Sequence, residues 1–436
     1  MSDLSRVLVL GTGPVGIQMV LLLKKYLKSY VGIAGRESIR SAPFFAAMRE
    51  NDQEIRVEIQ NEKHGRLEGR CKIDQVFHGY AAVNGEWDTL MMAVTTDSYI
   101  EVLSQLNGQL LRQVKCIVLI SPTFGSNSLL KQYMKEIGSF PEVISFSTYL
   151  GDTRWLDGAP SNQAKTTGVK KRLYAGSSHR PSGNLDKLCD LYSQLGIALE
   201  IVPAPIEAES RNISLYVHPP LFMNEFSLSV VFKEVESKKY VYKLFPEGPI
   251  TPQLIRDMRA YWQEISSLLE KMGLKGLNLL KFMTDDNYPV RPESLSRRDI
   301  DNFTRLDAIH QEYLLYVRYA SLLIDPYSQP DREGRYFDFS AVPLRPIFVN
   351  KDGYWDIPRM PKEDYYRIKI IQGIARTAAI RTPTMDRFIE TYESKIEETA
   401  QRLKDEPLSE AFLVQSFEED LRRIVGESVS REIRRH

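Results

Sequence analysis

The chain has 436 residues, of which 43% are hydrophobic and 26% charged, the composition of a globular protein with length enough for two domains. Its 57 basic and 57 acidic residues cancel, so no overall field directs it to nucleic acid or to an anionic membrane surface, and no segment approaches the ~20 apolar residues of a membrane span. Three widely spaced cysteines, Cys71, Cys116 and Cys189, fall in no Cys or His cluster, which speaks against a disulfide scaffold and against a metal ion held by the protein.

The chain opens MSDLSRVLVLG, with no basic segment ahead of its apolar run, so no secretory leader is expected and a cytoplasmic location is. That run begins Val7 to Leu23, VLVLGTGPVGIQMVLLL, in which a valine-rich stretch stops at Gly11, a glycine-spaced turn follows, and apolar residues resume from Ile17 at helical spacing. The pattern predicts strand, tight turn and helix. Gly11, Gly13 and Gly16 take the three glycine places of the dinucleotide fingerprint. The first permits the sharp turn, the second lets backbone approach a pyrophosphate, and the third lets the helix sit close on its strand. The pyrophosphate would rest on the free N–H groups and positive dipole end of that helix.

A second short strand, YVGIAG, leads to Gly35-Arg36-Glu37-Ser38-Ile39-Arg40. In the dinucleotide fold the end of this strand meets the adenosine ribose, and an acidic residue there selects NAD. Here Arg36 and Arg40, with Ser38 as hydroxyl donor, favour the 2′-phosphate of NADP, provided the Glu37 carboxylate points away. Further along, VEIQN and CKIDQVF read as strands, and WDTLMMAVTTDSY, CIVLISPTFGSNSLL and VISFSTYLGDTR as β-branched runs that leave through polar loops. Such units, separated by helical stretches, indicate a parallel sheet with its working loops at the carboxyl ends. Thr95, Thr96, Ser121, Pro122, Thr123, Ser147 and Thr148 would then line the cofactor crevice.

The strands KKRLYAGSS and ALEIVPAP bracket a helix around Leu185 to Leu195, and from about residue 220 long helical patterns such as PQLIRDMRAYWQEISSLLEKM alternate with aromatic and proline-rich connections. The expected fold is α/β: an N-terminal Rossmann-type doubly wound parallel sheet over residues 1–185, then a mainly helical C-terminal domain over 186–436. Of six histidines, His218 stands apart. It lies in RNISLYVHPPLFMNEFSL, between a strand-like SLYV and Pro219 and Pro220, which suit the first turn of a following helix. That placement would hold the imidazole rigidly at a helix N-terminus, where the dipole disfavours the imidazolium and the ring can exchange protons near neutrality.

The phrases GTGPVG, SPTFGS, SFSTYLGDTR, TTGVKK, ESRNISLYVHPPLFMNEFSL, YVYKLFPEGPIT, NYPVRPE, EYLLYVRY, LIDPYSQPD, YFDFSAVP and RMPKEDYYR run collinearly from the first strand to about residue 380. Together they resemble the opine metallophore dehydrogenases, the staphylopine dehydrogenase family. The resemblance implies an NADPH-using enzyme, typically a homodimer, whose C-terminal domain is catalytic and dimerising. It implies a reductive condensation in which the primary amine of a histidine-derived, nicotianamine-like aminobutyrate adds to the carbonyl of a 2-oxo acid. Loss of water leaves an imine, and hydride from NADPH reduces it to a secondary amine; any metal belongs to the product.

The family's catalytic histidine lies in the YVHPP phrase, which carries a two-way acid–base role onto His218. The family's cofactor phrase carries onto Gly11, Thr12, Gly13, Pro14 and Val15, and its 2′-phosphate pattern onto Arg36 and Arg40. Gly16 departs from the family toward the strict glycine fingerprint, and Gly16, Ser38, Thr95, Pro122 and Arg154 are further cofactor candidates, Arg154 also lying in a resembling phrase as a cation for substrate carboxylates. Carboxylate-rich substrates need cations and hydrogen-bond donors, for which Arg211, Asn212, Asn224, Tyr242 and Lys243 are candidates within the resembling phrases. Asp152 is placed beside the 2-oxo acid, where its charge would repel a second carboxylate and favour pyruvate over 2-oxoglutarate; an Asp there is also an ordinary helix cap. Two other readings stay open: an octopine-type NADP-dependent opine or imine reductase acting on a simple amino acid, and a non-catalytic NADP-sensing protein.

Overall fold

The valine-rich opening run folds as β1, Arg6–Leu10, and its alternation decides the layering. Val7 and Val9 enter one core while Leu8 and Leu10 enter another, all fully buried, as a strand covered on both faces requires. The computed structural model describes residues 4–287, 290–323, 333–334, 338 and 340–426, and the chain divides into two compact units after Asn212. The division falls later than the boundary expected at 185, because the strand, helix and strand between Arg172 and Ile201 complete the first unit's sheet.

After β1 come β2 (Tyr30–Gly35), β3 (Glu54–Ile59), β4 (Gly69–Lys72), β5 (Gln75–His78), β6 (Thr89–Met92) and β7 (Cys116–Leu119). The remaining strands of the unit are β8 (Glu142–Phe146), β9 (Gly151–Trp155), β10 (Gln163–Val169), β11 (Arg172–Ser177) and β12 (Ala198–Ile201). Eight of the twelve form one sheet in the order β12-β11-β8-β7-β6-β1-β2-β5. It is doubly wound about β1 as expected, but mixed, since β11 runs antiparallel to β8.

The other four strands make a second sheet, β4-β3-β10-β9, which the sequence pattern does not separate from the first. CKIDQVF, expected as one strand, is two: β4 in the small sheet and β5 at the edge of the large one. Asp74 fixes the crossing by accepting from the Val31 amide at 2.6 Å and from Lys24 at 2.8 Å. The small sheet is tied to the first helix, Pro14–Leu22, through buried Gln18, whose amide donates to the Leu67 carbonyl at 3.0 Å and accepts from Thr166 at 2.7 Å.

The second unit is mainly helical, as expected, with principal helices Ser214–Phe222, Pro252–Lys271, Ala308–Ala320, Arg359–Thr377 and Pro383–Arg402. Some helix starts are written locally: Thr251 accepts from the Leu254 amide at 3.1 Å, with Pro252 in the first turn. The start of Pro383–Arg402 is held from a distance, by Glu264 accepting from the Thr384 amide at 2.7 Å and the Met385 amide at 3.1 Å. Most of LIDPYSQPD, parts of NYPVRPE and YFDFSAVP, and the terminal SREIRRH lie outside the described residues. Among the described residues no helix is long and apolar enough to cross a membrane.

Candidate active site

In the first unit, Gly11 ends β1 at φ +120°, and a Cβ there would stand 2.4 Å from the Ala93 carbonyl oxygen. A Cβ on Gly16 would meet the Gly11 carbonyl oxygen at 2.1 Å, so the chain's own packing demands both glycines. Gly13 differs, with no heavy atom within 4 Å of where its Cβ would be. That open space lies over the first turn of the helix Pro14–Leu22, with Pro14 inside the turn and Val15 following, and it fits a pyrophosphate set against free N–H groups. Thr12 packs on the end of β2, where a Cβ on Gly35 would meet its side chain at 2.4 Å.

Arg36 follows β2 directly, 57% exposed at its side chain and 3.8 Å from Glu101 in a surface pair that contributes little to stability. The Ser38 and Ser41 hydroxyls, 3.1 Å apart, hold the turn that leads to exposed Arg40. Glu37 is directed to Gly79, just past β5. Thr95 follows β6 and pairs with the Ser98 hydroxyl at 3.3 Å, and buried Pro122 follows β7. Because β7, β6, β1 and β2 are neighbours in the sheet, these residues share its carboxyl edge with the glycine turn.

Asp152 and Arg154 are placed differently from expectation. Both lie on β9, antiparallel to β10 in the small sheet, and not at the carboxyl end of a strand of the parallel sheet. Their exposed side chains pair with each other, and Asp152 also accepts from Thr167 at 2.7 Å. Arg154 thus offsets the charge on which the preference for pyruvate was based.

Sequence reasoning missed Glu209. Its fully buried carboxylate caps the helix Ser126–Glu136, accepting from the Gly125 amide at 2.9 Å, the Asn127 amide at 2.8 Å, the Asn127 side chain at 3.1 Å and Ser145 at 2.8 Å. Burial pushes its carboxyl up to about 7 against the pull of those bonds. From the ordinary 4.5 to about 7 the folded chain therefore binds more protons than the unfolded one, and Glu209's contribution to stability falls as pH rises through that window, by about 3 kcal/mol. Thermal unfolding of wild type and Glu209→Gln between about pH 4.5 and about pH 7.5 checks this. The wild type loses stability relative to the variant on going up in pH, and parallel curves would contradict it.

In the second unit, SLYVHPPLF is a single helix, so the strand expected before His218 and the helix N-terminus expected after it are both absent. Pro219 and Pro220 occupy the helix's second half, and the helix ends at Phe222 soon after they remove its amide donors. His218 is held instead by its neighbours. Its ring meets Phe222 edge to face at 5.3 Å between centroids, and its Nδ1 lies 3.5 Å from Asp364 Oδ1. Asp364, fully buried on the helix Arg359–Thr377, shares Oδ1 between His218 and the Nη1 of Arg367 one turn on. Arg367 also reaches Glu363 at 3.5 Å, and Glu363 accepts from Arg359 at 2.5 Å. Burial alone would raise the Glu363 carboxyl, but Arg359 and Arg367 outweigh it and hold it below the ordinary range. Asp364 and Arg367 both fall in RMPKEDYYR, where nothing local ties them to a histidine so far away in the chain.

The other expected substrate residues have structural engagements. The Asn224 amide caps the helix Glu225–Val231, accepting from the Ser227 amide at 2.9 Å and donating to the Pro220 and Leu221 carbonyls at 2.8 and 3.0 Å, a structural role beside the one expected at the substrate. Lys243 donates to Asp338 at 2.5 Å, and Tyr242 beside it is half-buried. In the first unit Arg211 stacks over Tyr174, 4.7 Å from the ring centroid, and Asn212 is buried.

A glycine turn on a doubly wound sheet, in one chain with a histidine backed by a buried carboxylate, marks the class of dinucleotide-dependent dehydrogenases. Comparison with known proteins narrows the class. The staphylopine dehydrogenase family matches residues 5–428. The chain is 48% identical over 421 residues to the staphylopine synthase of Staphylococcus aureus, covering 96% of both chains. It is 37% identical over 394 residues to the pseudopaline synthase of Pseudomonas aeruginosa, covering 90% of both. A solved structure of yersinopine dehydrogenase with NADP+ bound superposes with a TM-score of 0.89 at 27% identity, covering 99% of both chains. The chain belongs to the staphylopine dehydrogenase family and is an opine dehydrogenase.

Proposed function

We propose that this enzyme uses NADPH to condense a histidine-derived aminobutyrate, through its primary amine, with a 2-oxo acid, pyruvate or 2-oxoglutarate, giving an opine-type metallophore. The observation that carries the chemistry is His218, whose Nδ1 is buried 3.5 Å from the Oδ1 of buried Asp364 while 23% of its side chain stays exposed. With Nδ1 buried, the Nε2 side of the ring is what His218 offers to a substrate. His218 takes a proton from the amine nitrogen as it attacks the ketone carbon, and returns one to the hydroxyl that departs as water when the imine forms. Bound NADPH supplies the hydride that reduces this imine. Arg211, Tyr242 and Lys243 are proposed to face the substrate carboxylates, and the enzyme to act as a homodimer in the cytoplasm.

NADPH deuterated at both C4 positions tests the reaction: the product gains deuterium on the carbon that was the ketone, and an unlabelled product would overturn it. The assignment of the 2′-phosphate to Arg36 and Arg40 has its own test. Alanine at both positions weakens NADPH binding about tenfold or more while NADH binding changes little, measured by titrating cofactor fluorescence. Equal weakening of both cofactors would remove the arginines from that role.

A further inference from the structure

Beyond the acid–base pair, a line of alternating charge runs along the helix Arg359–Thr377. Exposed Arg359 holds Glu363 at 2.5 Å, Glu363 stands 3.5 Å from Arg367, and Arg367 bonds to Asp364, whose same oxygen is 3.5 Å from His218 Nδ1. Arg367 is 5% exposed and Asp364 0%, so solvent screens neither. Asp364 Oδ2 has no protein partner, so the carboxylate is oriented through Oδ1 alone. Arg367 is therefore the cation that both steers this carboxylate and draws on its charge.

We propose that Arg367 is a positioning residue for the condensation: it fixes Asp364 under His218 and, by dividing that carboxylate's charge with Glu363 behind it, determines how firmly His218 holds its proton. This rests on His218 acting as the acid–base group. The other ionisable groups facing the cluster do not compete for that task. Tyr261, from the helix Pro252–Lys271, and Tyr392, from Pro383–Arg402, are buried and pushed well above their ordinary range, so both stay neutral. Tyr216 is buried on the histidine's own helix. Glu264 is occupied capping Pro383–Arg402. Glu393 is held by Tyr365 and Lys369, and Asp420, from the helix Glu418–Ile424, by Tyr366.

The test is the pH dependence of kcat/KM from about pH 6 to about pH 9.5 in the full-length enzyme, with NADPH affinity measured alongside. Freed of Arg367, Asp364 acts wholly on the imidazolium. In Arg367→Gln the acid limb therefore moves up by about one pH unit, a tenfold loss at pH 7 that is recovered at the alkaline end. Arg367→Lys keeps the cation and returns the limb toward wild type, and Asp364→Asn moves it down. If Arg367→Gln does not fold, Glu363→Gln decides, since its other partner Arg359 is exposed. Releasing Arg367 onto Asp364 moves the limb down, and an unmoved limb overturns the proposal. A uniform loss at every pH in Arg367→Gln, with no rescue by lysine, also overturns it and makes the arginine merely structural. A wild-type profile retained in His218→Ala would instead refute the acid–base role on which the proposal stands.

Discussion

Replacing His218 by alanine lowers turnover by about 10²–10⁴-fold, while NADPH binds as before. The size follows from the acid–base role proposed for the imidazole. Attack by the amine and departure of water each need a proton moved at the reacting atoms, and alanine leaves both steps to solvent. NADPH binding is expected to be spared because the residues proposed to hold it, the glycine turn, Arg36 and Arg40, all belong to the first unit, whereas His218 belongs to the second. Steady-state NADPH oxidation together with cofactor titration separates the two effects. Turnover within a few-fold of wild type would remove His218 from the mechanism, and loss of NADPH affinity would show that the substitution damages more than the acid–base group.

Gly11→Ala destabilises the protein by about 3 kcal/mol and removes measurable NADPH binding. Two costs combine. At φ +120° an L-residue is strained, and its Cβ would lie 2.4 Å from the Ala93 carbonyl oxygen, a backbone atom just past the end of β6 that cannot swing aside. Relief by shifting the turn would misalign the helix start on which the pyrophosphate is proposed to rest. Calorimetry should show a fall in melting temperature of roughly 10 °C. Gly13→Ala is the informative control. Its Cβ enters open space, so stability is kept while NADPH affinity falls. Equal stability losses at the two positions would contradict the division of labour assigned to them.

These residues also show what a sequence can and cannot disclose. The glycine turn was legible because strand, turn and helix are contiguous, and each glycine answers to a local backbone demand. That Arg36 follows a strand end directly, with Arg40 one turn on, was legible for the same reason, and their role at the 2′-phosphate is a proposal. The fold of SLYVHPPLF was not. Its β-branched and aromatic residues read as strand and its prolines as a helix start, but packing against the helices Pro252–Lys271 and Arg359–Thr377 makes it one helix. The small second sheet was hidden because strand character in β3, β4, β9 and β10 does not say which sheet a strand joins. Asp364 and Glu209 were hidden more deeply. Each acts on groups far away in the chain, and a buried acid on a helix looks, in sequence, like any surface acid. Family resemblance located His218, while only coordinates place a carboxylate and an arginine behind it.

The most direct test of the central claim is mass spectrometry of the product formed as NADPH is consumed, with the histidine-derived aminobutyrate supplied together with pyruvate or 2-oxoglutarate in turn. The account predicts, with at least one of the two acids, a secondary amine whose mass is that of amine plus oxo acid, less water, plus two hydrogens, formed in step with NADPH oxidation. No such amine with either acid, or turnover only when a simple amino acid replaces the aminobutyrate, would contradict it.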